Sequence, residues 1–172
     1  TYALALIPTA MTSSQTPKPL VSVKLDIPSL WRASPVAVAG VFMVGMSNSS
    51  FGTLAAVYAS GIGLPVATIA LFNAVPILMG AVAQLPVGYL SDRMDRRRVL
   101  IGTAVVALLA DIAFVVLMPS GIAMNLVLAS VFGAAIFAMY PIIIAHANDT
   151  SDGNYIRVSG GLLLMFGLGS IA

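Results

Sequence analysis

Long apolar runs, separated by short polar breaks, make up most of the chain. Four of these runs are complete, over residues 35–60, 65–90, 99–118 and 122–145, and a fifth begins at residue 158 and continues to residue 172. Each complete run holds at least 20 residues, and about 20 helical residues cross the roughly 30 Å of hydrocarbon in a bilayer. The pattern therefore predicts an all-α membrane protein built as a multi-span helical bundle.

The first 34 residues depart from this pattern. Residues 1–10 are apolar and predict the end of another transmembrane helix, whereas residues 11–34 are polar and predict a linker. Trp31 lies near the end of this linker, where an aromatic side chain is typical of the membrane interface. Because both ends of the sequence are apolar, we expect it to be a fragment of a longer protein.

The composition predicts a membrane protein and argues against several kinds of functional site. Hydrophobic residues make up 59% of the 172 positions and charged residues 8%, whereas soluble domains carry about 25% charged residues. There is no cysteine and a single histidine, His146, so no metal site is expected. The sequence contains no Walker loop and no nucleophile–base pair, so we expect no cofactor and no enzyme. Without a basic stripe or stacking aromatics, a nucleic-acid partner is not expected either.

The cationic residues indicate the orientation in the membrane. All eight Lys and Arg lie in the linker, in the stretch 88–100 or in the segment 146–157. Loops rich in Lys and Arg stay on the cytoplasmic side, so these three segments are predicted to be cytoplasmic. The expected location is the plasma membrane, specifically a bacterial inner membrane.

The stretch from Gly88 to Leu100 reads G-Y-L-S-D-R-M-D-R-R-R-V-L and crowds four arginines and two aspartates together. Its order, Gly, three residues, Asp-Arg, two residues, Arg-Arg, resembles the signature loop of the major facilitator superfamily of secondary transporters. Asp95 stands where that family usually has glycine. The stretches L-P-V-G-Y-L-S-D-R-M-D-R-R and A-H-A-N-D, with V-S-G-G-L-L-L-M-F-G-L-G, are similar to the YcaD-type bacterial branch.

The resemblance implies a twelve-helix fold made of two six-helix halves, each with such a loop between its second and third helices. Here the loop follows a polar linker, which is typical of the second half. The apolar runs would then be helices seven to eleven, and residues 1–10 would end helix six. The implied function is secondary active transport of a small solute by alternating access, driven by the solute's own gradient or by protons. The N-terminal half of the same chain would be an essential partner.

The charged side chains of the loop can form a conformational latch, that is, a set of ion pairs between helix ends that breaks when the helices move. Asp92 can accept backbone N–H groups at a helix N-terminus, and the arginines can pair with carboxylates at neighbouring helix ends. Asp95 adds a carboxylate for Arg98 or Arg32. The predicted latch comprises Gly88, where a helix can approach closely, with Asp92, Arg93, Arg96, Arg97 and Asp149, the last as a partner of Arg96 or Arg97. The alternative is a simple cytoplasmic anchor with incidental aspartates.

In this family the first and fourth helices of each half line the central cavity, which here implies residues 35–60 and 122–145. The candidate cavity residues are Asn48, Phe51, Tyr58, Phe137 and Tyr140. An amide or hydroxyl exposed to lipid lacks hydrogen-bond partners, which favours a cavity position for Asn48. Alternatively, these side chains only bond helix to helix.

Asp111 is the one charged residue deep within an apolar run. Intramembrane carboxylates are costly and mark functional sites by default. A proton-coupling role requires access to the cavity, and the resemblance argues against it because the ninth helix is usually peripheral. A structural pairing and exposure near the outer headgroups are the alternatives.

Two other classes of protein compete with a transporter. A membrane enzyme would need catalytic groups that this sequence does not contain. A small, non-transporting helical scaffold or assembly protein would need neither the partner half nor the latch. The length of the full protein would distinguish a transporter from these two alternatives.

Overall fold

The structure is a computed structural model that describes residues 27–117, 121–150 and 155–172. The described residues form six α-helices and no strand. They are α1 (Ile27–Ala33), α2 (Pro35–Gly61), α3 (Val66–Arg93), α4 (Arg96–Leu117), α5 (Ile122–Asp149) and α6 (Tyr155–Ile171). By length and composition, α2, α3, α4 and α5 can each cross a membrane, and α6 is a shorter apolar helix of 17 residues.

The helices extend beyond the apolar runs at the charged end of the bundle. α3 continues to Arg93 and α4 begins at Arg96, so the predicted arginine loop shrinks to Met94 and Asp95. The likewise charged end of α5 reaches Asp149. Hydropathy marks where a helix lies in hydrocarbon, whereas its backbone hydrogen bonds continue into water because arginine is a good helix former.

The polar stretch predicted as a linker contains the short helix α1. Its Leu30 is buried, and a Cβ added to Gly161 of α6 would lie 2.7 Å from the Leu30 side chain. The last part of this stretch is therefore packed against the bundle. The predicted helix end at residues 1–10 and the linker up to residue 26 lie outside the described residues.

α5 lies at the centre of the bundle and packs against α3, α4 and α2. Gly133 of α5 faces Pro76 of α3, and a Cβ added to Gly133 would overlap the Pro76 backbone. Small residues of this kind let two membrane helices approach until their backbones touch. Dispersion contacts across this seam hold α3 and α5 together.

α2 and α6 form a second close pair. A Cβ on Gly45 would lie against the carbonyl oxygen of Phe166, and one on Gly169 would lie against that of Phe42. The apolar core between α2, α5 and α6 includes Val41, Ile143 and Leu162, all nearly inaccessible. The lipid-facing sides of α3 and α4 remain rich in exposed Leu, Ile and Val, as a bilayer requires.

Candidate functional site

An ion-pair cluster lies where α3, α4 and α5 end together. Nε of Arg96, the first residue of α4, donates to Oδ2 of Asp149 on α5 at 2.6 Å. A terminal nitrogen of the same guanidinium lies 3.3 Å from Oδ1 of Asp92 on α3. One guanidinium thus joins the ends of three helices, with Arg96 as the partner of Asp149.

The residue that caps α4, in the short connection between α3 and α4, is not the expected one. Asp95 Oδ1 accepts the backbone N–H of Arg97 at 2.9 Å, so Asp95 caps the start of α4. The sequence predicts a capping role for Asp92, whose carboxylate instead faces Arg96. Because glycine has no side-chain acceptor, Asp95 contributes here a hydrogen bond that glycine cannot make.

The remaining predicted latch residues lie outside this cluster. The guanidinium of Arg93 lies over the ring of Tyr89, 4.1 Å from its centroid, as a cation–π pair. Arg97 is exposed and makes no ion pair with any residue that the structure describes. A Cβ added to Gly88 would meet no atom within 4 Å, so the expected close helix approach is not seen among the described residues.

A cavity of about 1070 Å³ opens at the opposite end of the bundle, between α2 and α4. Its wall includes Phe51 and Tyr58 of α2, together with Phe72 of α3, Phe114 of α4 and Phe132 of α5. Ser47 and Ser50 contribute hydroxyl groups, and most of the remaining lining is apolar. Four helices therefore build one aromatic chamber.

The aromatic rings of this chamber support one another. The ring centroid of Phe51 lies 5.5 Å from that of Phe132, and that of Tyr58 lies 5.9 Å from that of Phe72. The Tyr58 hydroxyl donates to Oδ1 of Asn125, a fully buried amide on α5, at 3.1 Å. This hydrogen bond restrains the Tyr58 ring, which lines the cavity.

The predicted cavity residues divide into two groups. Phe51 and Tyr58 line the chamber, whereas Asn48, Phe137 and Tyr140 do not. The ring of Phe137 packs edge-on against Phe51, and that of Tyr140 packs against Phe166 of α6 at 5.1 Å. Oδ1 of Asn48 is buried without a hydrogen-bond partner among the described residues.

Asp111 of α4 lines the same chamber as Phe51 and Tyr58. Its carboxylate forms no ion pair or hydrogen bond with any residue that the structure describes. The family pattern predicts a peripheral α4, yet in this bundle α4 packs on α5 and brings Asp111 to the cavity. Phe72, Phe114 and Phe132, which also line the chamber, were not predicted, because no local pattern in the sequence marks them.

Comparisons with known proteins place the chain in a family. The sequence model of the Major Facilitator Superfamily matches residues 3–172, nearly the whole chain. The match is to the superfamily as a whole. No curated protein and no solved structure matches the chain. The helical bundle, its charged α3–α4 connection and this match lead to one conclusion: the chain belongs to the major facilitator superfamily.

Proposed function

We propose that the protein is a secondary active transporter that moves a small solute across the membrane by alternating access. The family match over residues 3–172 carries this proposal. In the proposed protein, the described helices belong to the second half, and the solute binds between this half and the first. The membrane is a bacterial inner membrane, with the arginine-bearing end of the bundle in the cytoplasm.

The charged end supports this proposal because its ion pairs are strong enough to bias a conformation and weak enough to break. The side chains of Arg96 and Asp149 are 25% and 56% exposed. Ion pairs of this exposure contribute about 0–1 kcal/mol, so they do not lock the bundle permanently. We propose that the cluster of Arg96, Asp92 and Asp149 holds the cytoplasmic side closed and opens during each transport cycle.

The aromatic chamber supports a solute with an apolar surface. Phe51 and Tyr58 line the cavity, and Asp111 offers the one carboxylate among its described lining residues. We propose Phe51 and Tyr58 as solute contacts and Asp111 as the group through which a proton gradient acts. No enzymatic step is part of this proposal.

Alternating access can be tested without knowing the solute, because residues 1–172 contain no cysteine and any cysteine elsewhere in the full-length protein can be replaced by serine. We expect Ser50→Cys, in the chamber wall, to react from the outside with a membrane-impermeant maleimide in the full-length protein. Breaking the cytoplasmic latch with Arg96→Gln shifts the population toward the inward-open state, so the labelling rate should fall several-fold. Leu85→Cys, on an exposed apolar part of α3, is the control and should react slowly in both backgrounds. An unchanged rate at Ser50 would favour a non-transporting scaffold.

A stability measurement distinguishes a transport role of Asp111 from a structural role. If the carboxylate serves transport and has no structural partner, Asp111→Asn removes an unpaired charge from the membrane and stabilises the protein by on the order of 1 kcal/mol. The measurement is the melting temperature of the purified full-length protein. Asp95→Ala is the comparison variant, and we expect it to lower the melting temperature because it removes the side-chain cap of α4. A lower melting temperature for Asp111→Asn would show a structural pairing instead.

A further inference from the structure

A second cavity, of about 360 Å³, lies between α3 and α4 at the end of the bundle that carries the arginines. The two helices are joined only by Met94 and Asp95, yet they diverge and leave a groove whose floor is Ala134 and Ala135 of α5. No described residue lines both this groove and the aromatic chamber. The proposed transport function assigns nothing to it.

The groove has the length of one membrane leaflet. Its α3 wall runs from Ala83 to Met94, a distance of about 16 Å at 1.5 Å per residue. Half of the hydrocarbon core of a bilayer is about 15 Å thick. The groove therefore begins at the charged end and finishes near the middle of the membrane.

The inside of the groove offers an occupant almost nothing but hydrocarbon. Gly102 leaves its part of the wall without a side chain, and a Cβ added there would meet no atom within 4 Å. The hydroxyl of Thr103 is directed to the carbonyl oxygens of Val99 and Leu100, at 3.1 and 3.0 Å. Since that hydrogen is already donated, Thr103 offers no hydrogen-bond donor to a polar solute, whereas an alkyl chain is well accommodated.

The mouth of the groove carries a positive charge. Arg98 lines it, and no carboxylate among the described residues forms an ion pair with Arg98. Of the neighbouring arginines, Arg96 pairs with two aspartates and Arg93 lies over the Tyr89 ring, whereas Arg97 is exposed and lies outside the groove wall. A guanidinium binds phosphate oxygens through two parallel hydrogen bonds, so Arg98 is placed to bind a phosphate at the membrane surface.

We propose that the α3–α4 groove binds one anionic glycerophospholipid, with its phosphate on Arg98 and one acyl chain between the two helices. The charge at the mouth and the apolar length below it are complementary to the two parts of such a lipid. A free phosphate would leave the groove unfilled, and a zwitterionic lipid such as phosphatidylcholine would bring its own cation next to the Arg98 guanidinium. The lipid would also fill the gap between α3 and α4, and so would hold the two helices at their observed separation.

The headgroup contact is tested by native mass spectrometry of the full-length protein titrated with phosphatidylglycerol, or with phosphatidylcholine of the same acyl chains. We expect one tightly bound phosphatidylglycerol, and Arg98→Gln should weaken it about tenfold, as the loss of a charged hydrogen bond does. Arg97→Gln is the matched control, because Arg97 is exposed, adjacent in sequence and not part of the groove wall. Equal losses from both variants would show a general charge effect and overturn the proposal.

The acyl-chain contact is tested by filling the groove. Gly102→Leu places a side chain in the open space of the wall, so we expect it to reduce phosphatidylglycerol binding by about tenfold or more. Gly52→Leu is the control, since Gly52 also lies in a helix with no atom near its added Cβ but is on α2. Unchanged binding in Gly102→Leu would overturn the proposal. So would displacement of the lipid by millimolar inorganic phosphate, because only the phosphate site would then be real.

Discussion

Gly133→Ala is expected to lower the stability of the bundle by about 1–3 kcal/mol, the range seen when a tightly packed core is overfilled. The added methyl carbon would lie 2.5 Å from Cβ and 2.6 Å from Cα of Pro76, and closer still to its carbonyl oxygen. None of these atoms can rotate away, because they belong to the proline ring and the backbone of α3. The two central helices would have to separate, and the apolar contacts along the α3–α5 seam would weaken with them.

The measurement is the melting temperature of the purified full-length protein, followed by size-exclusion chromatography on heated samples. Gly52→Ala is the matched control, since its added methyl group meets no atom within 4 Å. Alanine is about 1 kcal/mol better than glycine in a helix, so the control should be neutral or slightly stabilising. If the two variants melted at the same temperature, the close contact between Gly133 and Pro76 would not exist in the protein.

The second large effect is expected at the charged end of the bundle. Arg96→Gln and Asp149→Asn should each reduce the maleimide labelling rate of Ser50→Cys several-fold. The double substitution should reduce it no further, because both changes remove the same ion pair. The coupling free energy should be on the order of 1 kcal/mol, since the Arg96 and Asp149 side chains are 25% and 56% exposed. High salt should diminish the effect.

Arg97→Gln is the control variant for this double-mutant cycle of Arg96 and Asp149. Arg97 lies next to Arg96 in sequence but forms no ion pair among the described residues. We expect it to leave the labelling rate unchanged and to add independently to Asp149→Asn. Additive effects of Arg96→Gln and Asp149→Asn would show that the observed 2.6 Å contact does not bias the conformation.

The individual sites differ in how far local pattern predicts them. Asp149 could be proposed as a partner of Arg96 or Arg97, because short loops on one side of a membrane must lie close together. The choice of Arg96 follows from the rotation of α4 relative to α5. In the same way, Phe51 and Tyr58 could be placed in a cavity from their helical spacing, but Phe137 and Tyr140 face other helices.

The location of Asp111 at the cavity is the feature least predictable from the sequence. Its position within an apolar run marks it as unusual, but the run is apolar on every side and has no hydrophobic face to orient it. Only the packing of α4 on α5 shows that the carboxylate faces the aromatic chamber. The α3–α4 groove is likewise invisible in the sequence, because a gap depends on how two helices diverge.

The sequence by itself determined the membrane setting, the approximate positions of the helices and the family motif, since hydropathy and short motifs are local properties of the chain. Only the tertiary structure decided which distant side chains meet, such as Arg96 and Asp149, which are 53 residues apart. It also decided that four helices share one aromatic chamber. The physical reason is that lipid solvates all sides of an apolar helix equally well, so close packing at residues such as Gly133 sets its rotation.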